Sequence, residues 1–334
     1  MKLRIENLSE KNQLDLSKEV SAAQVSRIIE KRFQDLNPSW SMHQMNWLND
    51  VYNAFKNHEK YMIILYLKKK TMDYYSRNFL KLTYDEYYSK NTFEINHFNV
   101  MDISKDLCIP KESARRKVIE LEKIGAIIRQ KKRIIIDKSV FPSVKPINSL
   151  KRISRFLSLL SEILVEEGVI SNQKKLSSDE LEKTIKDNFS YVWKLYYELQ
   201  MPMLLSWKKI FKDIECWHVW GTCIVNQQIE STKIDKGYLD KAKFISEFFN
   251  NNPKLRGINA MSISDITGIP RATVIRKLNI LIKKKFLVMN EKKQYKLTGD
   301  HKKTMVKNQL TVLVQLADFS SKIYNLYLAN KKLI

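Results

Sequence analysis

The chain has 334 residues, 44% of them hydrophobic, and a formal net charge of +23. That length suits about two domains, and that apolar content can fill real cores, which excludes a disordered tail. The basic excess is shared, +12 up to Leu160 and +11 beyond it, and points either to a polyanion met by both parts or to a solvated lysine-rich surface.

In chain order, the opening MKLRIENLSEKNQ has no apolar stretch of the kind a secretory signal needs. Ser17 is placed to cap a helix reaching about Leu36, ended by Asn37-Pro38. A second helix is predicted from about Gln44 to Lys69 and a third from about Ser76 to Lys90, followed by a loop from Asn91 to Val100. Within the second, YMIILYL (Tyr61 to Leu67) is too short to span a bilayer. A short helix capped by Asp102 comes next. Pro110 then opens a helix that stops at Gly125. The run AIIRQKKRIIID reads as two strands around a basic turn, and a last helix covers about Asn148 to Glu167. The second part follows suit, with caps at Ser177 and Ser262 and a capping box between Ser262 and Asp265.

Self-similarity organises this pattern. NVMDISKDLCIPKESARRK (99–117) lies over NAMSISDITGIPRATVIRK (259–277) at an offset of 160 residues. The same offset pairs Trp47 with Trp207, His58 with His218, Asn148 with Asn308 and Leu150 with Leu310. It also lays NQLDLS (12–17) over NQKKLS (172–177). The expectation is a gap-free internal duplication, residues 1–160 and 161–334.

Two helices joined by a tight turn and followed by a basic hairpin make a winged helix-turn-helix layout, here over about 76–138 and 236–298. Ala114, Val118 and Leu121 share one helical face, as do Val274, Leu278 and Leu281. Ile103, Leu107 and Ile109, with Ile263, Ile266 and Ile269 in the second copy, supply the facing side of each small core. That turns Lys111, Ser113, Arg115 and Arg116 outward, and Arg271, Thr273 and Arg276 likewise. Arginine can fork onto guanine or a phosphate, and short hydroxyls fit close to the backbone.

The stretches ISKDLCIPKESARRKVIELEKIGAII and ISDITGIPRATVIRKLNILIKKKFLV resemble bacterial winged-helix transcription regulators such as the MarR and Lrp families, over Met101–Asp137 and Met261–Leu297. The resemblance implies that the second helix of each unit enters the major groove and that the wing touches flanking DNA. By position it implies Lys111 to Arg116 and Arg271 to Arg276 as readers. Arg129, Lys131, Lys132 and Arg133, with Lys292 and Lys293, become the wing contacts. The second copy departs from the pattern. Lys285 stands where a glycine cap belongs, Ala272 and Ile275 replace the counterparts of Glu112 and Arg115, and its wing is less basic.

Other signals read as packing. The aromatic run from Tyr74 to Tyr88, together with Trp47 and Trp207, fits a core. His58 and His218 lack neighbours at metal-ligand spacing, and Lys68 to Lys70 resembles a solvated helix end. Cys108, Cys216 and Cys223 form no CxxC pair, so a reduced, cytoplasmic protein is expected. With seven glycines and no GxGxxG, P-loop, HExxH or GxSxG, nothing points to catalysis, a metal or a cofactor.

The fold expected is mainly α with small β-wings, two winged-helix units about a pseudo-two-fold axis. The function expected is sequence-specific binding of double-stranded DNA in transcriptional regulation, by one chain acting as a pseudo-dimer or by a homodimer, with any small-molecule effector unknown and no membrane contact. A plasmid-type replication initiator and a non-catalytic docking scaffold are the alternatives.

Overall fold

A computed structural model describes residues 19–96, 99–130, 133–140, 146–170, 175–232, 245 and 255–332. The chain is mainly helical, with two small antiparallel three-stranded sheets.

Helix α1 (Ala22–Lys31) begins at Ser21, whose hydroxyl accepts from Gln24 N while the Gln24 side chain accepts from Ser21 N. The cap is therefore four residues later than expected; Ser17 lies outside the described residues. Helix α2 (Phe33–Phe55) runs through Pro38 instead of stopping there. Proline cannot donate to the carbonyl one turn back. The loss is outweighed because α2 buries Leu36, Trp40, Leu48 and Val51.

The helix expected over 44–69 is broken. Lys56 closes α2 in the left-handed conformation at φ 50°, and Asn57 Oδ1 accepts from Lys60 N to open α3 (His58–Arg77). The third expected helix shrinks to α4 (Tyr84–Ser89), started by a Thr83–Glu86 capping box. The expected loop contains strand β1 (Thr92–Asn96). Helix α5 (Val100–Asp106) is capped by Asn99, not Asp102, through Met101 N at 2.9 Å. Helix α6 (Lys111–Lys123) follows Pro110, and Gly125 adopts φ +74° beyond its end. Strands β2 (Ile127–Gln130) and β3 (Arg133–Asp137) pair in the order β1-β3-β2, with Ile95 opposite Ile134 and Ile127 opposite Ile136. Helix α7 (Ile147–Glu166) completes this half.

The second half contains α8 (Ser178–Asp187), α9 (Phe189–Phe211) and α10 (Ile214–Thr232), then β4 (Ile258–Asn259), α11 (Ala260–Thr267) and α12 (Arg271–Lys283). Strands β5 (Leu287–Met289) and β6 (Gln294–Leu297) and the long α13 (Lys302–Lys332) follow. The second sheet has the order β4-β6-β5. Ser177 caps α8 as expected, in a box with Glu180. Ser262 is no cap: it lies inside α11, and its N–H donates to the real cap, Asn259.

Helix bounds recur at two offsets. α1, α2 and α3 start 156 residues before α8, α9 and α10, whereas α5 and α6 start 160 before α11 and α12. The gap-free register of 160 is thus corrected: the interval from the start of α10 to the start of α11 is four residues longer than that from the start of α3 to the start of α5. At the offset of 156 shared by these helix starts, Trp207 aligns with Val51 rather than Trp47, and His218 with Met62 rather than His58.

Packing between the halves is reciprocal. α1 lies on α13 and α8 on α7; α3 lies on α9 and α10 on α2. A continuous apolar core runs through both halves and takes in Trp47, Trp207, Cys216 and Cys223. Several expectations about side chains change. Ile266 is half exposed and Thr267 is buried in its stead. In the aromatic run Tyr87 is buried, but Phe79 is 92% exposed. The reading of His58 and His218 as satisfied packing histidines, by contrast, stands: both are buried, with Nε2 of one 3.1 Å from Nδ1 of the other. Lys68, expected in solvent, is buried. Among the described residues no helix is long and apolar enough to cross a membrane, and no cluster of His, Cys, Asp or Glu is arranged to hold a metal.

Candidate nucleic-acid interface

Helices α6 and α12 are amphipathic in the same way. Ala114, Val118 and Leu121 are sealed against α5 and the sheet, as are Val274, Leu278 and Leu281 in the second half. Lys117 and Lys277 share those inner faces and are also buried. Each meets an acid at the start of the helix beneath. Lys117 Nζ lies 2.9 Å from Glu59 Oε2 on α3, and Lys277 Nζ lies 2.9 Å from Glu215 Oε2 on α10. Lys277 also pairs with Asp213, and Glu59 takes a second ammonium from Lys208 of the other half at 2.9 Å. Lys208 in turn donates to the carbonyl of Cys108, at the turn between α5 and α6.

Burial alone would raise the Glu59 carboxyl, yet its hydrogen bonds from Lys117 and Lys208 outweigh that and hold it below the usual carboxylate range. Burial likewise opposes the charge on Lys277, and its bonds to Asp213 and Glu215 hold it above the ordinary lysine value. Glu59 and Lys277 therefore stay ionised near neutral pH. They fasten α6 and α12 to the central helices at fixed orientations.

The opposite faces are open. Lys111, Arg115 and Arg116 are exposed on α6 with Ser113 half buried; Arg271 and Arg276 are exposed on α12 with Thr273 half buried. Neither helix has a side-chain cap at its first turn, where Pro110 and Pro270 stand. The first N–H groups are therefore left for an anion or water.

The two faces differ in net charge. α6 bears Glu112, Glu120 and Glu122, whereas α12 has no carboxylate. Arg115 Nε contacts Glu112 at 3.0 Å, and Arg116 Nε is 3.9 Å from Glu120. In the first hairpin Arg129 pairs with Glu122 at 2.5 Å and Arg133 with Glu94 at 3.0 Å. Lys131 and Lys132 lie outside the described residues. In the second hairpin Lys292 and Lys293 are exposed. Arg271, Arg276, Lys292 and Lys293 have no carboxylate partner among the described residues. The two described arginines of the first wing are thus paired with carboxylates, whereas the two lysines of the second are not.

The described residues among those expected thus lie on the outer face of α6 or α12 and on the hairpin that follows each helix. What sequence reasoning missed is the anchoring: Lys117, Lys277, Glu59, Glu215 and Lys208. One signal was present, because Lys117 stands three residues after Ala114 and one before Val118, within the apolar stripe. No protein-family profile, curated protein or solved structure matches the chain.

Proposed function

We propose that this chain is a sequence-specific double-stranded DNA-binding protein that regulates transcription, built from two winged-helix units that arose by internal duplication and act together as a pseudo-dimer. The observation that carries the reading is the recurrence of one assembly. A helix pair, a three-stranded sheet and a buried Lys–Glu anchor (Lys117–Glu59, Lys277–Glu215) occur twice, each time with a cationic outer face on the second helix. Reciprocal packing of α1 on α13 with α8 on α7, and of α3 on α9 with α10 on α2, supports an approximate two-fold relation, since such an axis makes every contact occur twice.

On this reading α6 and α12 enter the major groove and the hairpins touch the flanking backbone. Exposed arginines supply both the phosphate attraction and the base contacts. The chain works as a cytoplasmic regulator and carries no catalytic machinery. Selection from a random duplex pool, followed by hydroxyl-radical footprinting, tests it. An imperfect palindrome with two protected segments about one helical turn apart is expected; the absence of any enriched sequence would refute it.

A further inference from the structure

A small cleft opens where α2, α3 and α7 of the first half meet α9 of the second, with a volume of about 50 Å³. Trp47, Tyr61, Trp193, Tyr196 and Tyr197 form its walls. Lys68 lines it and is only 9% exposed. Among the described residues the Lys68 ammonium has neither a carboxylate nor a hydrogen-bond acceptor. A lysine side chain buried this far, with its ammonium reaching only the cleft and no protein partner, is uncommon. The Gln200 carbonyl oxygen, also in the lining, is buried and lacks a donor.

A second cleft, of about 80 Å³, lies at the position related by the recurring offsets. Trp217, Gly221 and Ile224 stand there in place of Tyr61, Leu65 and Lys68, and Gln44 stands in place of Gln200. The same framework thus tolerates an apolar side chain where Lys68 is. Packing does not require the lysine.

We infer that the Lys68 cleft is a binding site for a small carboxylate that also carries a hydrogen-bond donor, held by the Lys68 ammonium and the Gln200 carbonyl. The volume admits only a few non-hydrogen atoms, since one water needs about 10–15 Å³ on this measure. The one carboxylate in the lining, Asp50, is already engaged by Arg152 of α7 at 2.5 Å, so it leaves the lysine charge uncompensated. Burial pushes the phenols of Tyr61, Tyr88, Tyr196 and Tyr197 up, so they remain neutral at and above physiological pH. Burial pulls Lys68 down to about 8, so the cation is mostly present at neutral pH and a bound anion would reinforce it. The inference stands whether or not the chain binds DNA.

The test is titration of the full chain with glycolate, read by tryptophan fluorescence because Trp47 and Trp193 line the cleft. Uncharged glycolamide is the control. Saturable binding of glycolate alone is expected, with affinity falling about tenfold per pH unit above pH 8 as Lys68 loses its proton. Lys68→Met should abolish binding and unfold at a higher temperature than the parent, because it places an apolar side chain where the largely buried, unpaired lysine stands, as Ile224 is placed in the second cleft. Equal response to glycolamide, undiminished binding in Lys68→Met, or no saturation through tens of millimolar would each overturn the inference.

Discussion

His58 Nε2 lies 3.1 Å from His218 Nδ1 in the interior where α3 meets α10. His218 Nε2 lies 2.7 Å from Asn49 Oδ1. A carboxamide oxygen only accepts, so His218 carries its proton on Nε2 and receives the His58 N–H on Nδ1. Burial, not the bond pattern, keeps both rings neutral. Burial pushes His58 down to about 4 and His218 well below its ordinary value, and it takes His43 down to about 3.

The unfolded chain takes up protons at these histidines near pH 6.5, whereas the folded chain refuses them until about pH 4 or lower. Stability is therefore full above pH 6.5 and falls as pH drops toward 4, by roughly 3 kcal/mol for His58 at the lower end. Urea unfolding at pH 7.5, 5.5 and 4.5 should show midpoints that fall steeply. Equal midpoints at the three values would contradict the neutral, buried pair.

Glu59 balances Lys117 and Lys208, which come from different halves. Glu59→Gln leaves two buried ammoniums without a counter-charge and should cost about 2–3 kcal/mol. Glu112→Gln breaks an exposed pair with Arg115 and should cost less than about 1 kcal/mol. Denaturant unfolding of the two variants side by side checks the difference. Equal losses would mean that the Glu59 network does not fasten α6.

Lys285 adopts φ 59° after α12, at the position where Gly125 adopts φ 74° after α6. A side chain in that conformation is strained by roughly 1 kcal/mol. Lys285→Gly should raise the thermal midpoint modestly and Gly125→Ala should lower it. The opposite order would show that the two hairpins leave their helices by different geometries.

On the proposed reading, the ion pairs on the first unit should make the two units differ in DNA affinity. Removing the Glu112 carboxylate should release Arg115 and tighten duplex binding several-fold. Arg276→Glu should weaken binding more than Arg115→Glu, because Arg276 has no carboxylate to release. A lost base contact costs about 1–3 kcal/mol, well within reach of a competition titration. Identical losses from the two reversals would argue that α6 and α12 meet DNA equally.

Much of the helical fold was legible because apolar spacing and caps are local signals. Ser177, Gly125 and the AIIRQKKRIIID hairpin read directly. The break at Lys56-Asn57 did not, since neither residue is a glycine or proline and the left-handed turn is held by packing on both sides. Pro38 misled for the converse reason, as buried contacts along α2 outweigh one missing N–H. β1 escaped notice because a short strand gains its meaning only from its partner β3. For the candidate site, the outward cations on α6 and α12 followed from the apolar stripe alone. Their pairing with Glu94, Glu112 and Glu122 required the fold, and so did the burial of Lys68, Lys117 and Lys277. The offset of 160, true of α5 and α6, was carried too far toward the chain start. Coincidental matches such as Trp47 with Trp207 hid the change to 156.

The salt dependence of duplex binding, measured for the parent, Arg116→Glu and Arg276→Glu on a site enriched by selection, tests the central claim most directly. The parent should show a steep log–log fall, each phosphate contact adding about 0.9 to the slope. Each reversal should weaken binding and flatten that slope by about 1. A parent that fails to bind at low salt, or reversals that leave affinity and slope unchanged, would contradict DNA recognition by α6 and α12.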